Sequence, residues 1–203
     1  MNGESSKVAL VVWFCGLPGS GKTTIARGVF ERITQRGENA PNIKLVSMDS
    51  IRKKIFPEPT YSDQERDAAY RSFVLIGSLL STSGVLVLLD GVGHKKVWRD
   101  LARQECPKFV EVYVKCPIEI CIQRETNRTT ASDRVRQKLY LDALERLKSG
   151  KRIDGLGKVP GVDEPFEESD SPEIVIDSSK EPAKALIVQV LHSLHYYDPA
   201  LFW

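Results

Sequence analysis

Residues Gly16 to Thr23 read GLPGSGKT, which satisfies the pattern G-x-x-x-x-G-K-[ST]. That pattern grips phosphate. Its glycines let backbone N–H groups turn inward around the α- and β-phosphates of a nucleotide, Lys22 reaches the β- and γ-oxygens, and the Thr23 hydroxyl offers Mg²⁺ one coordination position. Gly16, Pro18, Gly19, Ser20, Gly21, Lys22 and Thr23 are therefore the expected nucleotide-binding set, with ATP and Mg²⁺ as cofactors. The competing reading is a glycine-rich turn that binds nothing. Context disfavours it, because an apolar run, Val8 to Cys15, precedes the loop and a helix-like stretch, TIARGVF, follows it.

Phosphoryl transfer asks a protein for positioning, for neutralisation of charge along the transferred group, and for a carboxylate near the accepting hydroxyl. Candidates for each occur downstream. Asp49 and Arg52, in MDSIRKK, follow a short apolar run, so the acid can hold an acceptor hydroxyl while the guanidinium holds an anionic substrate. A surface ion pair opening a helix would look the same. Asp90 closes VLVLLD, the placement of an acid that meets Mg²⁺ directly or through water, so Thr23 and Asp90 are the expected metal-side pair. Its alternative is a helix N-cap. Lys22, Asp49 and Asp90 are the expected catalytic groups.

Arg66 and Arg71, in SDQERDAAYR, stand five apart and do not share a helical row, so both reach a substrate only if the start of their helix faces the pocket. Arg124 and Arg128 open a basic stretch, where they can stack on a nucleotide base or meet its phosphates. His94, just past the Asp90 strand end, reads either as a substrate contact or as an exposed loop residue.

The elements that must carry these residues alternate. Val8 to Cys15 reads as a strand, and Lys22 to Gln35 as a helix with Ile25, Ala26, Val29, Phe30 and Ile33 on one face and Gly37 as a stop. Ile43 to Met48 is a short buried strand. Ser62 followed by Glu65 is a capping-box signature for a helix that continues through Ala69, Phe73, Ile76 and Leu80 to Gly84. Then come the strand ending at Asp90, a helix over Lys95 to Glu105, a strand over Phe109 to Val114, and a helix opened by Pro117. Ile174 to Ile176 and Pro182 to Leu194 read as the last strand and the closing helix. This order predicts an α/β fold, a parallel sheet with helices on both faces. The strongly basic stretch from Arg124 to Lys158 reads as a mobile lid that closes over the γ-phosphate; a solvated basic helix is its rival.

With 203 residues and 41% hydrophobic content, residues 1–203 are expected to form one domain. The formal charge of +2 lacks the basic excess of a nucleic-acid binder. No apolar run is long enough to cross a bilayer and the polar start MNGESSK lacks a signal core, so a cytoplasmic protein without membrane partners is expected. Cys15, Cys106, Cys116 and Cys121 form no C-x-x-C pair, and buried free thiols are the default. His192 and His195 fall on the closing helix as surface or rim residues. The aromatic tail YYDPALFW either packs back on the body or forms a subunit contact, so a homodimer is a possible assembly.

Several segments together resemble the adenylylsulfate kinase family: GLPGSGKTTIA, DSIR, YSDQERDAAYR, RDLAR, FVEVYVKCPIEICIQRE and, most discriminating, PGVDEPFEESDSPEIVID. The resemblance spans most of residues 8 to 180 and implies a P-loop NTPase fold. It implies an ATP-dependent kinase that transfers the γ-phosphate to the 3′-hydroxyl of adenylylsulfate. It also places Lys22, Thr23 and Thr24 at nucleotide phosphate positions, Arg124 at a base-stacking position, and Asp49, Arg52, Arg66 and Arg71 on the substrate side. The chain departs from the family pattern at four points. Ser47 stands where D-G-D-x-x-R has its first acid, Ala69 replaces an asparagine, Gly93 a serine, and Val159 a phenylalanine that stacks on the sulfate-bearing nucleotide. The segment LLDGVGHKKVWRD also looks like strand ends in gluconate-kinase-like and nucleoside-kinase-like proteins, which brings His94 to the substrate side. Two further readings are a kinase of the same fold acting on another anionic alcohol or nucleoside, and a nucleotide-binding module that transfers nothing.

Overall fold

A strand buried on both faces needs apolar residues at every position, and the first strand meets that demand: β1 (Val11–Cys15) is VVWFC, with every residue buried. The computed structural model describes residues 8–127, 138–151, 153 and 156–199. Four strands join β1: β2 (Ile43–Ser47), β3 (Leu86–Asp90), β4 (Phe109–Lys115) and β5 (Ile174–Asp177). The sheet runs β2-β3-β1-β4-β5 and every pairing is parallel. Parallel neighbours need long crossovers, and helices supply them. These are α1 (Lys22–Thr34), α2 (Met48–Ile55), α3 (Asp63–Thr82), α4 (Lys96–Glu105), α5 (Ile118–Thr126), α6 (Leu139–Ser149) and α7 (Ala183–Tyr197).

The period of two along β1 sorts the core into two layers. Val12 and Phe14 face α1 and α7, where they join Ile25, Val29, Leu186 and Val190. Val11, Trp13 and Cys15 face α3 and α4, packing with Tyr70, Phe73, Trp98 and Ala102. Each such fully buried side chain contributes about 1.5–3 kcal/mol, so the central strand is the firmest platform the fold offers. Its carboxyl end leads straight into the phosphate loop. With β3 on one side and β4 on the other, that loop sits where connections diverge, the position at which open parallel sheets bind ligands.

All four cysteines are buried free thiols, Cys15 donating to Glu111 Oε1 at 3.4 Å. Among the described residues no helix is long and apolar enough to cross a membrane. The described part of the expected lid carries a helix. Residues 139–149 form α6, whose Tyr140 and Ala143 are buried against α5 and the segment around Val159. The loss of apolar surface from water, which the charged composition conceals, seats this helix on the body. Arg128, the rest of 128–137, and the tail from residue 200 lie outside the described residues.

Candidate active site

The phosphate loop leaves β1 at Gly16 and ends in α1, which begins at Lys22. Gly19 has φ +82, and a Cβ there would fall 2.6 Å from the Cys121 carbonyl oxygen, so only glycine fits. Ser20 is fully buried, with its carbonyl accepting from Ser178 Oγ at 2.7 Å. Lys22 Nζ lies 3.5 Å from the Leu17 carbonyl, curled over its own loop. A cleft of about 1160 Å³ opens beside it, lined by Pro18, Gly19, Lys22, Thr23 and Thr24 on the nucleotide side. That volume exceeds the usual ~300–1,000 Å³ of a single small-molecule pocket, so there is room for a nucleotide and an acceptor together.

The carboxylates arrive from two neighbouring strands. Asp90 ends β3, is 6% exposed, and accepts from Thr23 Oγ1 at 3.2 Å. Burial holds its carboxyl above the ordinary aspartate range; Lys22 and the Thr23 hydroxyl work against that shift and Asp49 reinforces it. An N-cap role is ruled out, since α4 begins only at Lys96. A hydroxyl and a carboxylate side by side are hard oxygen donors of the kind Mg²⁺ takes, so the residues present fit that ion. Asp49 lies in the first turn of α2, exposed at the cleft wall, close enough for its charge to be felt at Asp90.

Arg52, Arg66, Tyr61, His94 and Val159 line the same cleft. Arg52 pairs with Glu65 at 2.9 Å and lies 5.1 Å from the centre of the Tyr61 ring. Glu65 does more than a capping box requires. Ser62 Oγ accepts from the Glu65 amide at 3.2 Å, but the Glu65 carboxylate reaches past Ser62 to the amides of Thr60 and Tyr61. Burial works to raise this carboxyl, yet those amides, the Thr60 hydroxyl and Arg52 outweigh it and hold it below the usual range. They also hold Tyr61 in the left-handed region, φ +55, a costly conformation for a tyrosine and one that marks a built position.

Arg66 is buried, donates to the Lys158 carbonyl at 2.8 Å and sits 3.7 Å from Glu164. Arg71 is directed elsewhere: its side chain is 62% exposed, paired with Asp67 one helical turn back, and does not line the cleft. The helix start faces the pocket and the next turn points away, so five residues of separation part the two arginines.

His94 is not an exposed loop residue. It is 1% exposed and its Nε2 lies 2.8 Å from Glu164 Oε2. Burial pushes the imidazole down to about 4, against the opposing pull of Glu164. Arg99 braces the neighbouring backbone, as its guanidinium donates to the Gly93 and Glu167 carbonyls and pairs with Glu111 at 2.9 Å in a fully buried setting. Val159 packs into the apolar cluster with Tyr140 and Cys121, so it forms a floor rather than a stacking face. Arg124 donates to Ser178 Oγ and to its carbonyl at 3.0 and 2.7 Å and does not line the cleft. Through Ser178 it braces the phosphate loop from outside.

Tyr61, Glu65, Arg99 and Glu164 escape a reading of the sequence. Their site roles leave only indirect signals: Tyr61 is an aromatic residue directly before the Ser62 cap, Glu65 reads as the capping-box acid, and Glu164 falls in the segment PGVDEPFEESDSPEIVID.

Residues 8–177 match the sequence profile described as adenylylsulphate kinase. The "Probable adenylyl-sulfate kinase" of Archaeoglobus fulgidus is 32% identical over 173 residues, covering 85% of this chain and 98% of that protein. The adenylyl-sulfate kinase of a Synechococcus strain is 29% identical over 185 residues, covering 91% and 93%. The Mycobacterium tuberculosis APS kinase CysC, solved in complex with AMPPNP and APS, superposes with a TM-score of 0.74 at 22% identity, covering 92% and 98%. Its likeness shows the shared fold. With a family profile running through the phosphate loop, both carboxylates and the Glu164 segment, this chain belongs to the adenylylsulphate kinase family.

Proposed function

We propose that this protein transfers the γ-phosphate of ATP to the 3′-hydroxyl of adenylylsulfate. The observation that carries the reading is that Lys22, Thr23, Asp49 and Asp90 line one cleft together with Arg52, Arg66 and Tyr61. The family membership supports the same acceptor. Phosphate-loop amides and Lys22 hold the donor, and Asp49 orients the acceptor hydroxyl and takes its proton as the new oxygen–phosphorus bond forms and the bond to ADP breaks. Mg²⁺, held on the Thr23 and Asp90 side, supplies charge neutralisation on the phosphates when bound. Arg52 and Arg66 are arranged for an anionic acceptor, and their carboxylate partners preset each guanidinium before the substrate arrives. Cytoplasmic ATP is the donor in this reading.

A second acceptor, another anionic alcohol or nucleoside, is favoured by one specific observation: Val159 offers no stacking face where the family pattern has phenylalanine. ADP release measured with adenylylsulfate and with a panel of phosphorylated sugars and nucleosides decides between them. Stimulation by adenylylsulfate alone is the expected result, and stimulation only by another alcohol rejects the acceptor while keeping the kinase. Asp49→Asn is expected to cut turnover at least 100-fold with nucleotide affinity within about threefold, as for a group acting in the transition state. Full turnover in that variant would remove Asp49 from the chemistry.

A further inference from the structure

His94 follows the carboxyl end of β3, and its imidazole is held from several sides. The ring meets Trp98 edge to face at 5.1 Å, and Trp98 is itself stacked on Tyr70 at 4.1 Å. The His94 carbonyl accepts from the Glu167 amide at 2.8 Å, and its Nε2 lies 2.8 Å from Glu164 Oε2.

That pairing dictates which ring nitrogen carries the proton. Burial works to raise the Glu164 carboxyl, but Lys158 and His94 outweigh it and hold it below its ordinary range, so it is ionised and has no proton to offer. Burial also keeps the imidazole neutral. A neutral ring beside a carboxylate donates through the nitrogen that faces it, so Nε2 bears the hydrogen and Nδ1 keeps a lone pair. Among the described residues no group donates to Nδ1, although His94 lines the cleft. The neighbouring cations are engaged elsewhere, Arg66 with the Lys158 carbonyl and Lys158 with Asp63 and Glu164. A lone pair left without a donor in so enclosed a place is unfavourable, and a side chain whose only task was to reach Glu164 would not need it.

We propose that His94 determines acceptor specificity: its Nδ1 accepts a hydrogen bond from an O–H or N–H group of the acceptor, with the tautomer set by Glu164. The inference rests on the acceptor binding in this cleft. Adenylylsulfate carries two groups of the required chemistry, the ribose 2′-hydroxyl and the amino group of the base. Arg52 and Arg66 suit anionic oxygens, whereas a nitrogen that only accepts favours a neutral donor over any anionic or carbonyl oxygen.

Two substitutions divide the edges of the ring. In His94→Gln the terminal amide takes the Nε2 position and still donates to Glu164, but nothing replaces Nδ1; in His94→Asn the shorter amide sets an oxygen near Nδ1 and abandons Glu164. With ATP saturating, His94→Gln is expected to raise the acceptor KM about 5- to 50-fold and leave the ATP KM within about twofold, with His94→Asn closer to the parent. A role confined to holding Glu164 orders the two variants the other way. That reversed order, or an unchanged acceptor KM in His94→Gln, overturns the proposal. The 2′-deoxy and 6-oxo analogues of adenylylsulfate identify the donor, since the analogue that lacks it raises KM in the parent and raises it no further in His94→Gln. If each analogue has the same effect in the parent as in His94→Gln, Nδ1 has no partner and the proposal fails. Absence of turnover with adenylylsulfate rejects the acceptor instead, and the order of the two variants is then read on whichever alcohol stimulates ADP release.

Discussion

Ser47 and Asp90 are register partners at the carboxyl ends of the adjacent strands β2 and β3. The D-G-D-x-x-R pattern places an acid at position 47; here that position is a serine, and the Asp90 carboxylate stands directly across the ladder. Both positions open on the same cleft, and Asp90 lies 3.2 Å from the Thr23 hydroxyl. Asp90→Asn is expected to lower Mg²⁺-dependent turnover about 100-fold or more, the scale of losing one charge-stabilising group. Ser47→Asp in that background should restore part of it. The sign for stability is opposite. Because the folded carboxyl titrates above its ordinary range, its charge opposes folding at neutral pH, and the asparagine variant should melt at a higher temperature than the parent without ligands. A variant that is less stable and fully active would remove Asp90 from the metal side.

His94 and Glu164 give the fold a pH dependence of predictable direction. The buried imidazole is held neutral down to about 4, whereas the unfolded chain takes up a proton near 6.5. As pH falls from 7 to 5 the unfolded state therefore binds more protons, and stability declines by about 2 kcal/mol from this residue alone. Glu164, held low by Lys158 and His94 against its burial, keeps its charge through that window and does not confuse the reading. Urea melts at pH 7 and pH 5 should show the decline in the parent and lose most of it in His94→Gln. An equal decline in both would place the acid sensitivity elsewhere.

What the sequence announced and what it hid follow one physical line. Each strand of the parallel sheet, buried on both faces, appears as an apolar run, and each crossover helix carries a local apolar stripe, so β1, α1, β3, β4 and α7 are legible within a few residues. Helix α2 follows β2 without an intervening loop, and its polar first turn, Met48-Asp49-Ser50, masks the start. In α6 the buried residues are only Tyr140 and Ala143, a narrow face within Leu139 to Leu147, the one part of the basic stretch that carries core-type periodicity. The acceptor side is written in partners far apart. His94 finds Glu164 and Arg99 finds the Glu167 carbonyl across nearly 70 residues, so no window of sequence contains both members. The nucleotide side is local because one loop wraps one phosphate chain, whereas the acceptor side is assembled from four segments.

Arg66 and Arg71 allow the substrate side to be mapped by contrast. Arg66 is buried against Lys158 and Glu164, and Arg71 forms an exposed pair with Asp67 on the same helix. Arg71→Ala should change stability by no more than about 0.5 kcal/mol and leave kinetics untouched. Arg66→Ala removes a charged hydrogen-bond donor worth about 1.5–3 kcal/mol, so the acceptor KM should rise about 10- to 100-fold while the ATP KM moves little. Steady-state kinetics with each substrate varied in turn measures both. Equal effects from the two variants would mean that burial, not contact with the acceptor, is what Arg66 contributes.

Tyr61 separates the two acceptor readings most sharply. Its ring lines the cleft, stacked near the Arg52 guanidinium, and its left-handed backbone is held by the Glu65 carboxylate. A ring kept there at a conformational cost offers a flat apolar face to a base, and with Val159 packed into the floor Tyr61 is, beside the buried Tyr70, an aromatic ring that lines the cleft. Base stacking on an aromatic side chain is worth about 1–3 kcal/mol by alanine substitution. If the acceptor carries a purine, Tyr61→Ala should raise its KM about 5- to 100-fold, and Tyr61→Phe, which keeps the face and loses only the hydroxyl, should stay near the parent. A sugar-type acceptor has no base to stack, and its KM would be indifferent to both changes. Measuring the two variants with adenylylsulfate and with a phosphorylated sugar therefore reads the acceptor class from the ring itself: loss confined to alanine and to the nucleotide substrate supports adenylylsulfate, and a flat response with either substrate rejects Tyr61 as its platform.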